Sequence, residues 1–353
     1  MKAAIFEQLG KPLRIGSVAD PKPGHGQVLL KICRCGICGS DLHMTEDPTF
    51  ALNAGAVIGH EFSGEVLEVG RDVTEFAVGD HVSAAPLKGC GSCPSCKIGE
   101  PAWCHDTMQL IGGGYAEYAA LDAIQCRRLP WGISAADGAL AEPLAVALHS
   151  VMRAAMKPGE RVLIVGAGPI GLEVAFWARR LGAIRVAIAD LHDHQQERAM
   201  SLGATGFVLS GDDMTARVAQ ACGGAPDIVF ECVGRPGLID HCIGLVRPRG
   251  RVLVLGLCTV PDRMDSFRAI SKEVQVIMSV FFDMHEFAQA IEALDSGRYR
   301  PQNLVSDVVN LDAMPGTFEA LRKRTTQCKV LVDPFGLSPD RSLNRAICKS
   351  IPA

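Results

Sequence analysis

Long unbroken apolar runs are missing from this 353-residue chain. The longest candidate, Val162 to Ala178, is interrupted by three glycines, a proline and Glu173, so it does not read as a membrane span. The opening residues MKAAIFEQLGKPLRIG hold a lysine but no apolar h-region of a secretory signal, and they read as a first strand. A basic surplus is also lacking. There are 35 Lys and Arg against 39 Asp and Glu, a net charge of -4, which argues against nucleic acid or an anionic membrane as partner. Repeats and low-complexity segments are absent. Hydrophobic residues at 48% and charged residues at 21% are an ordinary globular balance, and the length allows two domains.

Cysteine is not scarce: the chain has 14. Without a secretory signal they point to a reducing cytoplasm, where clustered cysteines bind metal and scattered ones pack as small hydrophobes. Cys222, Cys232, Cys242 and Cys348 belong to the scattered group. Cys90, Cys93, Cys96 and Cys104 form a cluster, C-x2-C-x2-C-x7-C. Four thiolates at this spacing enclose one zinc ion tetrahedrally and leave no position for substrate.

The chain changes character near Lys157-Pro158-Gly159. Before it, VLLKICRCG, EFSGEVLEVG and AVGDHVSAAP read as short strands separated by glycine turns. After it, RVLIVGAG suits a strand buried on both faces, and PIGLEVAFWARRLGA has helical spacing. VAIAD, FVLS, DIVFECVG and RVLVLGL follow as further strands. Strand and helix in alternation predict βαβ units and a parallel sheet. HEFAQAIEALDSG reads as an amphipathic helix, and KVLVDP as a last strand that rejoins the first domain. The polar tail from Gly336 to Ala353 receives no function.

Gly166, Gly168, Pro169, Ile170 and Gly171 lie in a G-x-G-x-x-G loop between that buried strand and the helix. The first glycine permits a tight turn, the second lets backbone approach a pyrophosphate, and the third allows helix to pack on strand. Asp190 closes the next strand, 19 residues after Gly171, where a carboxylate binds ribose hydroxyls and repels a 2'-phosphate. NAD is therefore expected over NADP. Separately, Cys38 in CGSDLH, His60-Glu61 in GHE and Glu142 in EPLAVALH supply the ligand types of an open, catalytic zinc. Each is weak alone: a lone cysteine is usually core, and a lone histidine is usually satisfied in a turn.

In order, CGICGSDLH, GHEFSGEV, the cysteine lobe, EPLAVALH, GAGPIG and Asp190 resemble the zinc-dependent medium-chain alcohol dehydrogenase family, from Met1 to about Pro334. A glutamate at position 142, where many alcohol dehydrogenases have cysteine, is similar to the polyol, sorbitol dehydrogenase-like branch. The resemblance implies an α/β chain. A β-rich GroES-like catalytic domain would take residues 1–152 and 284–353, and a Rossmann-type NAD-binding domain residues 153–283. It implies two zinc ions, the structural one on the four-cysteine lobe and the catalytic one on Cys38, His60 and Glu61 with Glu142 close by; the choice between Glu61 and Glu142 stays open. It also implies proton relay through Ser40 and His43, and a place for Lys329 near the cofactor pyrophosphate. A zinc-polarised alcohol would pass hydride to NAD.

A secondary alcohol and its ketone are the expected small-molecule substrates, and the assembly is expected to be a homotetramer or homodimer. Phe50, Trp103, Phe281 and Phe282 are candidate pocket walls. Alternatives are amino-alcohol oxidation resembling threonine dehydrogenase, an NADPH-dependent reductase of the same superfamily, and a non-catalytic zinc- and NAD-binding regulator.

Overall fold

The computed structural model describes residues 1–336 except 107, 296, 324 and 325. Cys348 and the tail after Gly336 lie outside the described residues. The first part of the chain forms β1 (Lys2–Ile5), β2 (Arg14–Ser17), β3 (Gln27–Gly36), β4 (Glu61–Val69), β5 (His81–Ala84), β6 (Leu87–Lys88), β7 (Gln109–Leu110), β8 (Tyr118–Asp122) and β9 (Cys126–Arg128). Then come β10 (Arg161–Val165), β11 (Arg185–Asp190), β12 (Gly206–Leu209), β13 (Ile228–Glu231), β14 (Arg251–Val254) and β15 (Gln275–Met278), and finally β16 (Val305–Asn310) and β17 (Lys329–Asp333).

Strands β10 to β15 form one parallel sheet in the order β12-β11-β10-β13-β14-β15. Its central strand β10 alternates between two cores. Val162 and Ile164 pack into one, Leu163 and Val165 into the other. Burying each such side chain contributes about 1.5–3 kcal/mol, which explains the unbroken apolar run. The strand order reverses between β10 and β13, the place where a crevice opens beyond the carboxyl ends of the strands. This is a Rossmann-type sheet. Its sixth strand, β15, escaped the sequence reading because it is an edge strand of half-buried and exposed residues rather than a buried run.

The second sheet runs β16-β17-β3-β4-β5-β9, with β8 also paired to β3. It is the β-rich, GroES-like part. Alternate residues of β3, Val28, Leu30 and Ile32, share a core with Phe62, Val66 and Val82 of its neighbours. Register matters here more than content. Gly36 at the end of β3 faces Glu61 at the start of β4, and Leu331 of β17 faces Gly36 from the other side. Three strand ends from distant parts of the chain therefore converge just before Cys38. The helix Ala141–Arg153 joins the two halves: Leu144 O accepts a bond from Trp177 Nε1 at 2.8 Å, in the helix Pro169–Arg180.

Candidate active site and metal centres

Cys38 follows β3 and caps the short helix Gly39–Met44. His60 precedes β4, and Glu61 begins it. One ligand atom from each of Cys38, His60 and Glu61 lies within 4.8 Å of the others, a spacing that one metal ion can bridge. Ser40 belongs to the same helix, and its Oγ is 3.5 Å from His60 Nε2.

The histidine is held from behind. Asp41 is fully buried, and its Oδ1 accepts from His60 Nδ1 at 3.2 Å. Its Oδ2 accepts from the Cys38 N–H at 3.1 Å and from the Tyr115 hydroxyl. Burial alone would raise the Asp41 pKa, but the His60 charge and these bonds hold it below the usual carboxylate range. When His60 is neutral, the bond from Nδ1–H to Asp41 leaves Nε2 as the ligand atom. Gly59 supports the arrangement: at φ +88° it lies against the Tyr115 ring, and a Cβ there would come within 2.6 Å of the ring.

Glu61 has a second partner. Lys329 Nζ donates to its Oε1 at 2.6 Å and its Oε2 at 2.7 Å, and both residues are buried. Gly36 makes room for this pair, since a Cβ there would fall 2.0 Å from Glu61 Oε2. Burial opposes a charge on Lys329, but Glu61 more than offsets it. Glu142 is also buried, in the first turn of the helix Ala141–Arg153. Burial, with Glu61 and Asp41 nearby, pushes its pKa up to about 7 against the opposing pull of His60 and Lys329.

The four-cysteine lobe is a separate centre. The sulfurs of Cys90, Cys93, Cys96 and Cys104 lie within 4.8 Å of one another. Backbone donors already point at them: the Cys90 N–H bonds Cys104 Sγ, and the Cys93 N–H bonds Cys90 Sγ, each at 3.3 Å. Gly89 passes so close that a Cβ would sit 2.4 Å from Cys96 Sγ. Four convergent sulfurs, with N–H groups aimed at them, fit a closed tetrahedral zinc.

The glycine loop fits a nucleotide. Gly166 has φ +106°, and a Cβ there would meet Val233 at 2.7 Å. A Cβ at Gly171 would lie 2.0 Å from Gly166 O. A Cβ at Gly168 would meet nothing within 4 Å, so this face is open to a ligand. Pro169 and Ile170 open the helix Pro169–Arg180, whose free N–H groups favour an anion. Asp190 Oδ2 accepts from the Ala167 N–H at 2.7 Å, tying β11 to the loop. A cleft of about 350 Å³ lies here, lined by Gly168, Asp190, His192, Arg235 and Gln327 among others.

Two family descriptions match the chain: the alcohol dehydrogenase GroES-like domain over residues 24–131 and the zinc-binding dehydrogenase over residues 169–296. L-threonine 3-dehydrogenase of Streptomyces coelicolor is 36% identical over 84% of this chain and 89% of its own. Sorbitol dehydrogenase of Bacillus subtilis is 28% identical over 95% of this chain and 97% of its own. A zinc-binding dehydrogenase structure from Sinorhizobium meliloti 1021, bound to NADP, superposes with TM-score 0.86 at 30% identity over 94% of this chain and 99% of that one. The chain belongs to the zinc-dependent medium-chain alcohol dehydrogenase family. As a dehydrogenase it acts on a CH–OH donor, with a nicotinamide cofactor as hydride acceptor.

Not every expected site residue of the dehydrogenase sits where the resemblance implies. Lys329 is absent from the nucleotide cleft and is spent on Glu61. His43 lies one turn along the short helix from Ser40, half-buried. Phe282 is no pocket wall: it is buried and stacked on Phe287, with ring centroids 5.5 Å apart. Trp103 is half exposed on the cysteine lobe. Asp41, Tyr115 and Gly36 were overlooked in the sequence. Only Asp41 carried a signal, its three-residue spacing from a helix-capping cysteine. No described helix is long and apolar enough to cross a membrane.

Proposed function

We propose that this dehydrogenase oxidises a secondary alcohol of polyol type to a ketone using NAD and two zinc ions per chain. Cys38, His60 and a carboxylate, Glu61 or Glu142, would hold the catalytic zinc; Cys90, Cys93, Cys96 and Cys104 would hold the structural one. The observation that carries this reading is the convergence of Cys38, His60 and Glu61, buttressed by Asp41. Bound there, zinc would supply Lewis acidity that eases loss of the alcohol proton, and NAD would be the hydride acceptor.

The protein groups do the rest. Ser40 Oγ, beside His60 Nε2, both accepts and donates, so it takes the alcohol proton and passes it toward solvent; His43, one turn on, is the next acceptor. Asp190 keeps NAD over NADP because its charge opposes a 2'-phosphate. The surrounding His192 and Arg235 work the other way, and the similar structure from Sinorhizobium meliloti holds NADP. The reading divides the chain into 1–152 with 284–353 for the zinc sites and 153–283 for the cofactor. It also includes a homo-oligomer. Edge strand β15 exposes Met278, and the neighbouring helix Ser266–Ser271 exposes Phe267 and Ile270. The reading also includes a reducing, cytoplasmic setting, which suits clustered cysteines that bind metal.

Amino-alcohol oxidation is a second reading, favoured by the 36% identity to L-threonine 3-dehydrogenase. A screen of polyols, cyclic alcohols, aryl alcohols and L-threonine with NAD and with NADP, alongside metal analysis, separates the two. Turnover of a polyol with NAD at two zinc per chain is expected. Preference for L-threonine selects the second reading, and strong preference for NADP removes the role given to Asp190.

A further inference from the structure

Glu173 lies two residues past Gly171 on the helix Pro169–Arg180 and is fully buried. Both of its carboxylate oxygens are shut off from solvent, and neither has a hydrogen-bond partner. A buried carboxylate without partners is costly and calls for an explanation. Its surroundings offer one. The Lys329 ammonium is near enough to act on it electrostatically, as are Glu61 and Glu142. Burial pushes the Glu173 pKa well above the usual carboxylate range, Glu61 and Glu142 add to that and Lys329 opposes it, so an ammonium brought onto Glu173 would favour its charged form.

As the chain stands, Glu61 takes that ammonium with both oxygens. Yet Glu61 is also one of the three residues positioned to ligate metal. With both oxygens on Lys329, Glu61 is a weaker donor to metal than an unpaired carboxylate would be. If Glu61 turns to the metal, Lys329 is left as a buried charge without a partner, which is among the most destabilising arrangements a core can hold. Glu173 is a carboxyl group without a hydrogen-bond partner within reach of Lys329's field.

We propose that Glu173 is a positioning residue that takes over Lys329 when Glu61 ligates the catalytic zinc, so that Glu61, Lys329 and Glu173 form a two-position exchange. In one position Glu61 stays on Lys329 and Glu142 faces the metal. In the other, Glu61 is on the metal and Glu173 is on Lys329. Either way one carboxylate serves the metal and one serves the ammonium. Glu173 thereby decides between the two glutamates that compete for the third ligand place. This inference rests on the catalytic zinc site of the proposed function.

The test uses the full-length protein loaded with zinc or with cobalt(II). Glu173→Gln keeps the shape and removes the charge; Glu173→Leu removes both. Each is expected to weaken metal binding at the Cys38 site by about tenfold or more in chelator competition, with the lobe metal retained. The cobalt(II) visible spectrum should shift, since Glu61 then stays on Lys329. Adding Lys329→Met to Glu173→Leu removes the ammonium that retains Glu61, and should return affinity and spectrum to near those of the unaltered protein. A merely structural glutamate would not be rescued this way. An unchanged affinity and spectrum in Glu173→Gln, or a double variant that stays impaired, overturns the exchange while leaving the site itself intact. An unaltered protein that binds only one metal, at the lobe, overturns both the exchange and the site beneath it.

Discussion

The two candidate metal centres are built in opposite ways. The lobe takes all four ligands from residues 90 to 104, and nearby backbone N–H groups point at its sulfurs. The Cys38 centre joins two loops and depends on groups far away in sequence, with Lys329 pairing across 268 residues. The lobe offers four sulfurs, which on one metal ion would leave no place for another ligand. The Cys38 centre offers one sulfur, one imidazole and competing carboxylates. A local, saturated site can only stabilise a loop; a site assembled from converging strand ends can stay open and be tuned by charge.

Breaking the open centre should cost most. Cys38→Ser is expected to lower kcat by about three orders of magnitude, because loss of the Lewis acid would raise the barrier by several kcal/mol. Far-UV circular dichroism and the lobe metal should be unaffected. Substantial residual turnover would move the chemistry away from Cys38. Dialysis against a chelator should then separate the centres in time. Activity is expected to fall first and to return with added zinc, while residues 88–110 stay resistant to protease until the lobe metal leaves. Simultaneous loss of both would erase the distinction.

A smaller effect is expected one layer out. Asp41→Asn keeps the shape but weakens the hold on His60 Nδ1, and should reduce metal affinity at the Cys38 site by about 10–100-fold. The lobe metal serves as internal control in the same titration. The smallest effect on turnover belongs to the lobe. Cys96→Ser should leave one metal per chain and lower Tm by on the order of 5 °C, with kcat within about threefold of the unaltered enzyme. A large loss of kcat would mean that the lobe shapes the active site as well as its loop.

Much of the architecture was legible because its signals are local. The buried run RVLIV, the glycines that follow and the helix after them depend on neighbours in sequence, and the structure has strand, turn and helix there. The cysteine spacing was equally plain. Edge strand β15 was not, since only burial on both faces produces the unbroken apolar pattern that marks a parallel strand. Phe282 misled for a related reason: an aromatic residue in a loop looks the same whether it walls a pocket or fills a core. Lys329 begins a strand, and its charge reads as solvated until β17 is paired beside β3.

The sequence by itself determined which groups are on hand: four clustered cysteines, a cysteine, histidine and carboxylate set, and a glycine loop with an acidic residue after it. Residue type and short spacing suffice for that, since ligand chemistry and turn geometry are local. Only the tertiary structure decided how the charges are distributed. It turned Asp41 onto His60, set Lys329 against Glu61, and left Glu173 buried without a partner. These outcomes follow from strand register and burial, which bring together groups hundreds of residues apart and remove the water that would otherwise make their pairing a matter of indifference.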